Sequence, residues 1–487
     1  MTEVLARISA RRPWVTIGIW VLFVVIGLGL SGTFLGSATT TDFRLGGSYE
    51  SERAAAILED KLRGPEKLAE IVIVHSATLT VDDAVFRAKV EALHEEITAL
   101  GTGTISGGID DQPLSHYYQA IDAGPLIAPE ALVQLLPLLV SADRSAVLMH
   151  YTLTGTSQEA TANVVDVIHV VEEASEADDF VVLIGGDAST AFENNELAEE
   201  DLQKGERFGV PVALLVLLVL FGAVVATLLP LGLAAVSIVI ALAAVAVIGQ
   251  QFQLVFFVTI MVVMLGLAVG IDYSLLIVSR FKEEMRHGMS TGDAVAKTGG
   301  TAGRTVLFSG ATVVLALVGL LIVPASFYQS LALGAILVVI ASLAATLTLL
   351  PAVLALLGPR IDLLTIPFLT RFSLKGADTS QGGFWDKITL MVTKRPVISL
   401  LIVGVPMLAL SYFYLEIRTG LNDVNTFPDK AETKKAFLLM EEKFSFGTVS
   451  PAGFLSPAEI VVSGNIDDPQ VMAAIGRVQQ SLVEDTT

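Results

Sequence analysis

Apolar and polar residues alternate along this chain on two length scales, and the longer one sets the architecture. Apolar runs extend from Pro13 to about Leu35, Phe208 to Leu228, Leu231 to about Ile248, Leu254 to Ser279, about Thr305 to Val323, Ser330 to Leu357, and Pro396 to about Tyr414. Each approaches the roughly 20 residues a helix needs to cross a bilayer, so the pattern predicts about seven spans. A secretory signal competes for the first run, since Arg7, Arg11 and Arg12 precede it. Its length exceeds a signal's apolar region and Gly32 to Ser37 makes a poor cleavage site, so residues 1–35 are read as an uncleaved first membrane helix. Trp14 and Trp20 suit an interfacial belt there. Pro230 marks a tight turn between the second and third spans, and Pro351 lies near the end of the sixth, where a kink is tolerated.

On the shorter scale, residues 36–207 read as an alternation of strands and amphipathic helices. Ala69 to His75 is a strand; Phe86, Val90, Leu93, Ile97 and Leu100 then share one helix face. Further strands are expected at Gly103 to Gly107, Ser145 to Thr152 and Phe180 to Ile184. An insertion with helical stretches covers Pro113 to Val140, and Ala160, Val164, Ile168 and Val171 form a second helix face. The order β-α-β, β-α-β is the split pattern of a ferredoxin-like domain. A polar helix, Glu193 to Arg207, leads from it to the membrane helices two to six of residues 208–357. Residues 358–395 form a polar linker, 396–414 the seventh span, and 415–487 turn soluble again.

The fold class is therefore an α-helical polytopic membrane protein with an α+β domain outside the membrane. Composition agrees, with 53% hydrophobic residues and a mean hydropathy of +0.68, well above soluble norms. Charge sets orientation, because Lys and Arg collect in cytoplasmic loops. The N-terminus, the Arg280 to Arg304 connector and the 358–395 linker share one side in a seven-span arrangement and carry the basic residues. That side is the cytoplasm, and the large acidic domain lies opposite.

The same composition excludes several chemistries. The absence of cysteine rules out disulfides, Cys-based metal sites and a thiol nucleophile. The six histidines are scattered, so no metal or other cofactor is expected. A net charge of -20 argues against nucleic acid, and no G-x-x-x-x-G-K-[ST] motif points to a nucleotide motor.

One residue breaks the apolar pattern of the fourth run. Asp272, followed by Tyr273, sits in LGLAVGIDYSLLIVS, where a charged side chain costs about 2.5–3.5 kcal/mol on insertion scales. Such a group normally faces the bundle interior or a wet pathway, which makes it a candidate protonatable transport site; the alternative is a neutral acid bonded to a neighbouring helix as structural glue. Burial disfavours the charged form and readies it to exchange a proton near neutral pH. Gly266 and Gly270 form a small-xxx-small pair for close helix packing. On the fifth span Ser309 and Thr312, three apart, are possible support for the relay, against the alternative that they bond to their own backbone.

The chain also repeats itself. Arg12-Pro13 matches Arg395-Pro396, Asp42 matches Asp423, Ala69-Glu70-Ile71-Val72 matches Ala458-Glu459-Ile460-Val461, and Val81-Asp82-Asp83 matches Ile466-Asp467-Asp468. The shared order and a spacing of about 380–390 residues mark a long-period repeat. The second copy is read as the opening of a second soluble domain, so a missing second half, or another copy of the chain, is an expected partner.

The blocks GLAVGIDYSLLIVSRFKEEM (Gly266 to Met285), TAGRTVLFSGAT (Thr301 to Thr312) and ERFGVPVALLVLLVLFGAVVATLLPL (Glu206 to Leu231) resemble the MMPL family of the RND superfamily, large mycobacterial-type membrane exporters. The resemblance covers nearly the whole chain as an N-terminal half plus the start of a second repeat. It implies an RND-type fold with a porter domain outside the bacterial cytoplasmic (inner) membrane. It further implies export of lipids or other hydrophobic compounds driven by protons, with Asp272 and Tyr273 as half of the proton relay and no enzymatic activity. Two other classes compete. An intramembrane aspartyl protease needs two carboxylates sharing a water, and no other predicted span carries an acid; a non-transporting lipid- or sterol-sensing scaffold shares the architecture.

Overall fold

The computed structural model describes residues 1–40, 49–64, 67–108, 114–124, 129–176, 180–252, 254–365, 384–415, 417, 427–444, 462 and 469–485. They belong to two units, one of Met1–Gly46 with Ala198–Thr419 and the other of Gly47–Leu197 with Gly420–Thr487.

The first unit opens on a short amphipathic helix that the hydrophobic runs do not announce. α1 (Thr2–Arg11) buries Thr2, Ala6 and Ser9, spaced to share one face, and leaves Val4 and Ile8 exposed. Arg12 leaves the helical region at φ -129°, ψ 62°, and Pro13 opens α2 (Pro13–Ala38), a position where its missing N–H would be unpaired anyway. α2 runs into a two-residue strand, β1 (Thr39–Thr40).

In the second unit, α3 (Glu50–Leu58) precedes β2 (Ala69–Ser76), α4 (Ala84–Ala99) and β3 (Ile105–Gly107). Two helices, α5 (Tyr117–Asp122) and α6 (Pro129–Leu139), fill the predicted insertion before β4 (Ala146–Leu153), α7 (Ser157–Glu176) and β5 (Phe180–Gly186). The sheet order is β3-β4-β2-β5 with antiparallel neighbours, as the split β-α-β pattern requires. Strand alternation sends Val72 and Val74 toward Phe86, Val90, Leu93 and Ile97 of α4 and Val164 and Val171 of α7. Ile168, expected on that face, is half-buried.

Glu70 interrupts the apolar run of β2 and is fully buried. Its Oε1 accepts the N–H groups of Ala188 (2.7 Å) and Ser189 (3.0 Å), in the first turn of the helix that follows β5, an anion at a helix N-terminus. Its Oε2 is buried without a hydrogen bond. Burial pushes this carboxyl up to about 7, against the pull of the Ser189 and Ala188 bonds and with a smaller push from Asp187. A raised carboxyl favours folding below its ordinary value of 4.5, and that contribution is lost as pH rises through about 7. Burial lowers His116 to about 3 and His150 to about 4, so these two act oppositely, weakening the fold as pH falls below 6.5. Glu70→Gln isolates the carboxyl: the amide protection of Ala188 and Ser189, measured by hydrogen exchange and corrected for intrinsic rates, is expected to fall in the parent relative to the variant as pH rises from 5 to 8, the histidine contribution being common to both.

The first unit resumes within α8 (Asp187–Phe221), which ends at Gly222 with φ +66°. This corrects the predicted boundary: Pro230 makes no turn and lies inside α9 (Val224–Ile248). Glycine reaches the left-handed conformation that closes a helix without a Cβ penalty, and Lys282 Nζ donates to the freed Phe221 carbonyl at 3.1 Å. The second span therefore does not reach Leu228. Only Phe208 to Phe221 of α8 is apolar, roughly 20 Å of rise, yet α8 still returns the chain across the bilayer: Gly249 at the end of α9 abuts Ala38 at the end of α2, so α2 and α9 run the same way and α8 runs back between them.

Next come β6 (Leu254–Val255), α10 (Phe257–Arg286), α11 (Thr291–Gly300), α12 (Ala302–Leu320), α13 (Ser326–Ala344) and α14 (Leu350–Leu357). β6 pairs in parallel with β1, and Val255 N–H donates to Ser330 Oγ at 2.9 Å, fastening the ends of α2, α10 and α13. A π-helical turn at Ala345–Leu349 precedes Pro351, as expected where a proline removes a helical donor. α15 (Phe384–Lys394) and α16 (Pro396–Tyr414) complete this unit. Among the described residues six helices, counting α11–α12 and α13–α14 each as one, are long and apolar enough to cross a membrane; α8, charged through Arg207, is not among them although seven spans are expected. The chain is a multi-pass membrane protein.

α15, Arg395 and α16 repeat α1, Arg12 and α2, with Arg395 at φ -135°, ψ 64°. In the second unit, α17 (Glu432–Lys443) lays Ala436 and Met440 over Ile71, Ile73 and Leu148, on the sheet face opposite α4 and α7. Glu193 caps it, accepting from the N–H groups of Glu432 (2.8 Å) and Thr433 (3.1 Å) and from the Thr433 hydroxyl. α18 (Pro469–Asp485) follows. The repeat's Asp42, Asp423, Ala458-to-Val461 strand and Ile466-Asp467-Asp468, and residues 366–383 of the linker, lie outside the described residues.

Candidate functional site

α10 has two faces of opposite character. Val258, Val262, Gly266, Gly270 and Ser274 recur every fourth residue and are all buried. A Cβ on Gly266 would lie 2.5 Å from Ile238 Cγ1 and 2.9 Å from Val338 Cγ2; one on Gly270 would lie 2.7 Å from Ala234 Cα. The two glycines therefore sit where α9 and α13 pack closely on α10, and the Ser274 hydroxyl is turned back to the Gly270 carbonyl at 2.6 Å.

Asp272 follows Gly270 by two residues, about 200° around the helix. It is exposed among the described residues, in a stripe with Met264, Ala268 and Leu276. The expectation that it faces the interior of this bundle is thus corrected: the glycine pair claims one side of α10 and leaves the carboxylate on the other. Tyr273 is half-buried against the bundle core, so the two relay candidates point to different surroundings. Ser309 and Thr312 are both exposed on α12, and the Thr312 hydroxyl donates to its own helix at Phe308 O, 2.9 Å.

Two cavities flank Asp272 along its own helix. On the β6 side lies an apolar groove of about 580 Å³ between α8 and α10, floored by Met264, Leu267, Ala268 and Ile271, with Asp201 and Glu206 of α8 among its few polar groups. On the other side a polar cavity of about 650 Å³ lies between α10 and the start of α12, with Leu276 and Ser279 its lining residues nearest Asp272 in sequence.

Arg280, Lys282 and Glu283 of the cavity lining belong to an ion-pair cluster. Glu284, fully buried, is gripped by Arg280 at 2.5 Å and by Lys297 of α11 at 2.8 Å, and Arg280 also pairs with Glu283 at 2.7 Å. Lys282 pairs with Asp362 at 2.8 Å and lies over the Phe221 ring. A buried carboxylate keeps its charge only with partners this close, so the cluster ties α10, α11 and the end of α8 together. The sequence pattern assigns these basic residues to topology alone; the acids spaced among them at Glu283 and Glu284 are the signal it holds. Glu70 enters that pattern only as a repeated letter, although an acid inside an apolar strand marks a buried site. No group of three metal-binding side chains occurs among the described residues.

The MMPL family model matches residues 47–399. The chain belongs to the MMPL family. A putative membrane protein of Streptomyces coelicolor, SCO6666, is 29% identical over 93% of this chain and 59% of its own length. The trehalose monomycolate exporter MmpL3 of Mycolicibacterium smegmatis is 28% identical over 79% of the chain and 38% of its own length. The heme uptake protein MmpL11 of Mycobacterium tuberculosis is 30% identical over 57% and 28% respectively. This MMPL chain thus spans less than two thirds of the length of each, and the two mycobacterial relatives are named for transport rather than for an enzymatic reaction.

Proposed function

We propose that this MMPL chain acts in proton-driven export of lipids or other hydrophobic compounds across a bacterial inner membrane, with its N-terminus cytoplasmic and its α/β unit serving as a porter domain outside. The observation that carries this reading is the position of Asp272, a mid-helix carboxylate set between an apolar groove and a polar cavity on one face of α10. A carboxylate facing acyl chains costs about 2.5–3.5 kcal/mol. Further helices, from a second repeat or a second copy, complete this face and enclose the acid. Protonation then removes the charge, changes which helix surface the side chain favours, and shifts a rigid-body equilibrium. Tyr273, Ser309 and Thr312 assist through their hydroxyls once that face is closed.

The apolar groove alone would equally serve a lipid-sensing scaffold. Vesicles holding the protein and a labelled lipid separate the two. Lipid movement that accelerates when a pH gradient is imposed, and stops when the gradient is collapsed, is the expected result. Lipid binding that ignores the gradient would overturn export in favour of sensing.

A further inference from the structure

We propose that the polar cavity between α10 and α12 is the cytoplasmic mouth of a proton path to Asp272; the assignment rests on the proton-coupled reading above. The cavity's lining residue nearest Asp272 in sequence is Leu276, 42% exposed and on the Asp272 stripe. Four residues of helix separate the two, about 6 Å of rise, a gap that one or two waters bridge. From there the walls supply hydroxyls: Ser279 on α10, and Thr305 and Thr301 at the start of α12. Thr301 donates to Lys297 O at 2.9 Å and Thr305 to Thr301 O at 3.5 Å, so each turns an oxygen to the cavity and must rotate to pass a proton on, as a hydroxyl that both donates and accepts can.

Glu283 and His287 also line the cavity. The remaining charges are Arg280, held by Glu283 and Glu284; Lys282, held by Asp362; Lys297 behind Glu284; and Arg286 at the rim. Arg304, one turn into α12, lies over the Phe308 ring. These cations repel metal cations from the passage, while a proton advances by exchange along hydrogen bonds. The groove on the other side of Asp272 is apolar and lacks such a ladder of hydroxyls, so the polar route favours the cytoplasmic side.

The native chain contains no cysteine, which provides a clean background for the test. In vesicles with the cytoplasmic face outward, a hydrophobic carbodiimide modifies Asp272 only while it is protonated, and mass spectrometry reads the rate. With the lumen held at constant pH, modification is expected to slow about tenfold per unit of external alkalinisation above the acid's own pKa. Leu276→Cys carrying a bulky maleimide adduct should remove that dependence, while unmodified Leu276→Cys retains it. Modification of Asp272 that follows only the lumenal pH, or that ignores the Leu276 adduct, would overturn the proposal. Absence of lipid movement in vesicles that do show the dependence would count against export and leave the proton path standing.

Discussion

Asp272→Asn is expected to abolish proton-coupled lipid movement, by about a hundredfold or more if the acid is the coupling group, while the helical bundle melts within about a degree of the parent. The two expectations have separate causes. Asparagine has the shape of a protonated aspartate but cannot release its proton, so the cycle stalls in one state. Asp272 lies away from the close packing at Gly266 and Gly270, and exchanging a side chain outside such packing usually changes stability by less than about 0.5 kcal/mol. Asp272→Glu retains a titrating carboxyl one methylene further out and should recover part of the activity. Tyr273→Phe should act more weakly, since the ring stays packed in the core and only a hydroxyl is lost. Lipid flux measured alongside thermal unfolding checks all three; full flux in Asp272→Asn would remove the acid from the mechanism.

Much of this arrangement was legible in the letters because it rests on periodicity. Strands and helices of the α/β unit alternate with periods of two and 3.6, and burial of Val72, Phe86 and Val164 follows those periods. The boundary between the second and third spans was not legible in the same way. Proline is a strong breaker in isolation, but Pro230 lies within the first two turns of α9, whereas Gly222 bears the left-handed φ. Nor could local pattern show that α17, from the far end of the chain, covers the second sheet face. That packing depends on Glu193 meeting the α17 N-terminus across more than two hundred residues.

The candidate site divides similarly. An acid inside an apolar run announces itself, and its angular distance from the glycine pair follows from helix geometry. Which of the two faces is covered by this chain does not follow, because both are apolar apart from Asp272. Only the close approach of Ala234, Ile238 and Val338 to the glycines decides it.

Gly270→Ala is expected to destabilise the bundle although alanine is the better helix former by about 1 kcal/mol. The new methyl would lie 2.7 Å from Ala234 Cα and 2.8 Å from its Cβ, and a backbone atom cannot rotate aside. α9 and α10 must separate, a strain typically of about 1–3 kcal/mol. Gly266→Ala meets side-chain atoms of Ile238 and Val338 instead, which can change rotamer, so its melting temperature should fall less. Ala234→Gly in the Gly270→Ala background removes the clash with the methyl and leaves the one with the backbone carbon, so rescue should be partial. A Gly270→Ala protein that melts at or above the parent would show that the helices are not held at this distance. Because the glycine packing also sets how α10 is rotated, the same substitution should lower proton-coupled flux with Asp272 itself unchanged, and restoring the helix spacing should restore the flux.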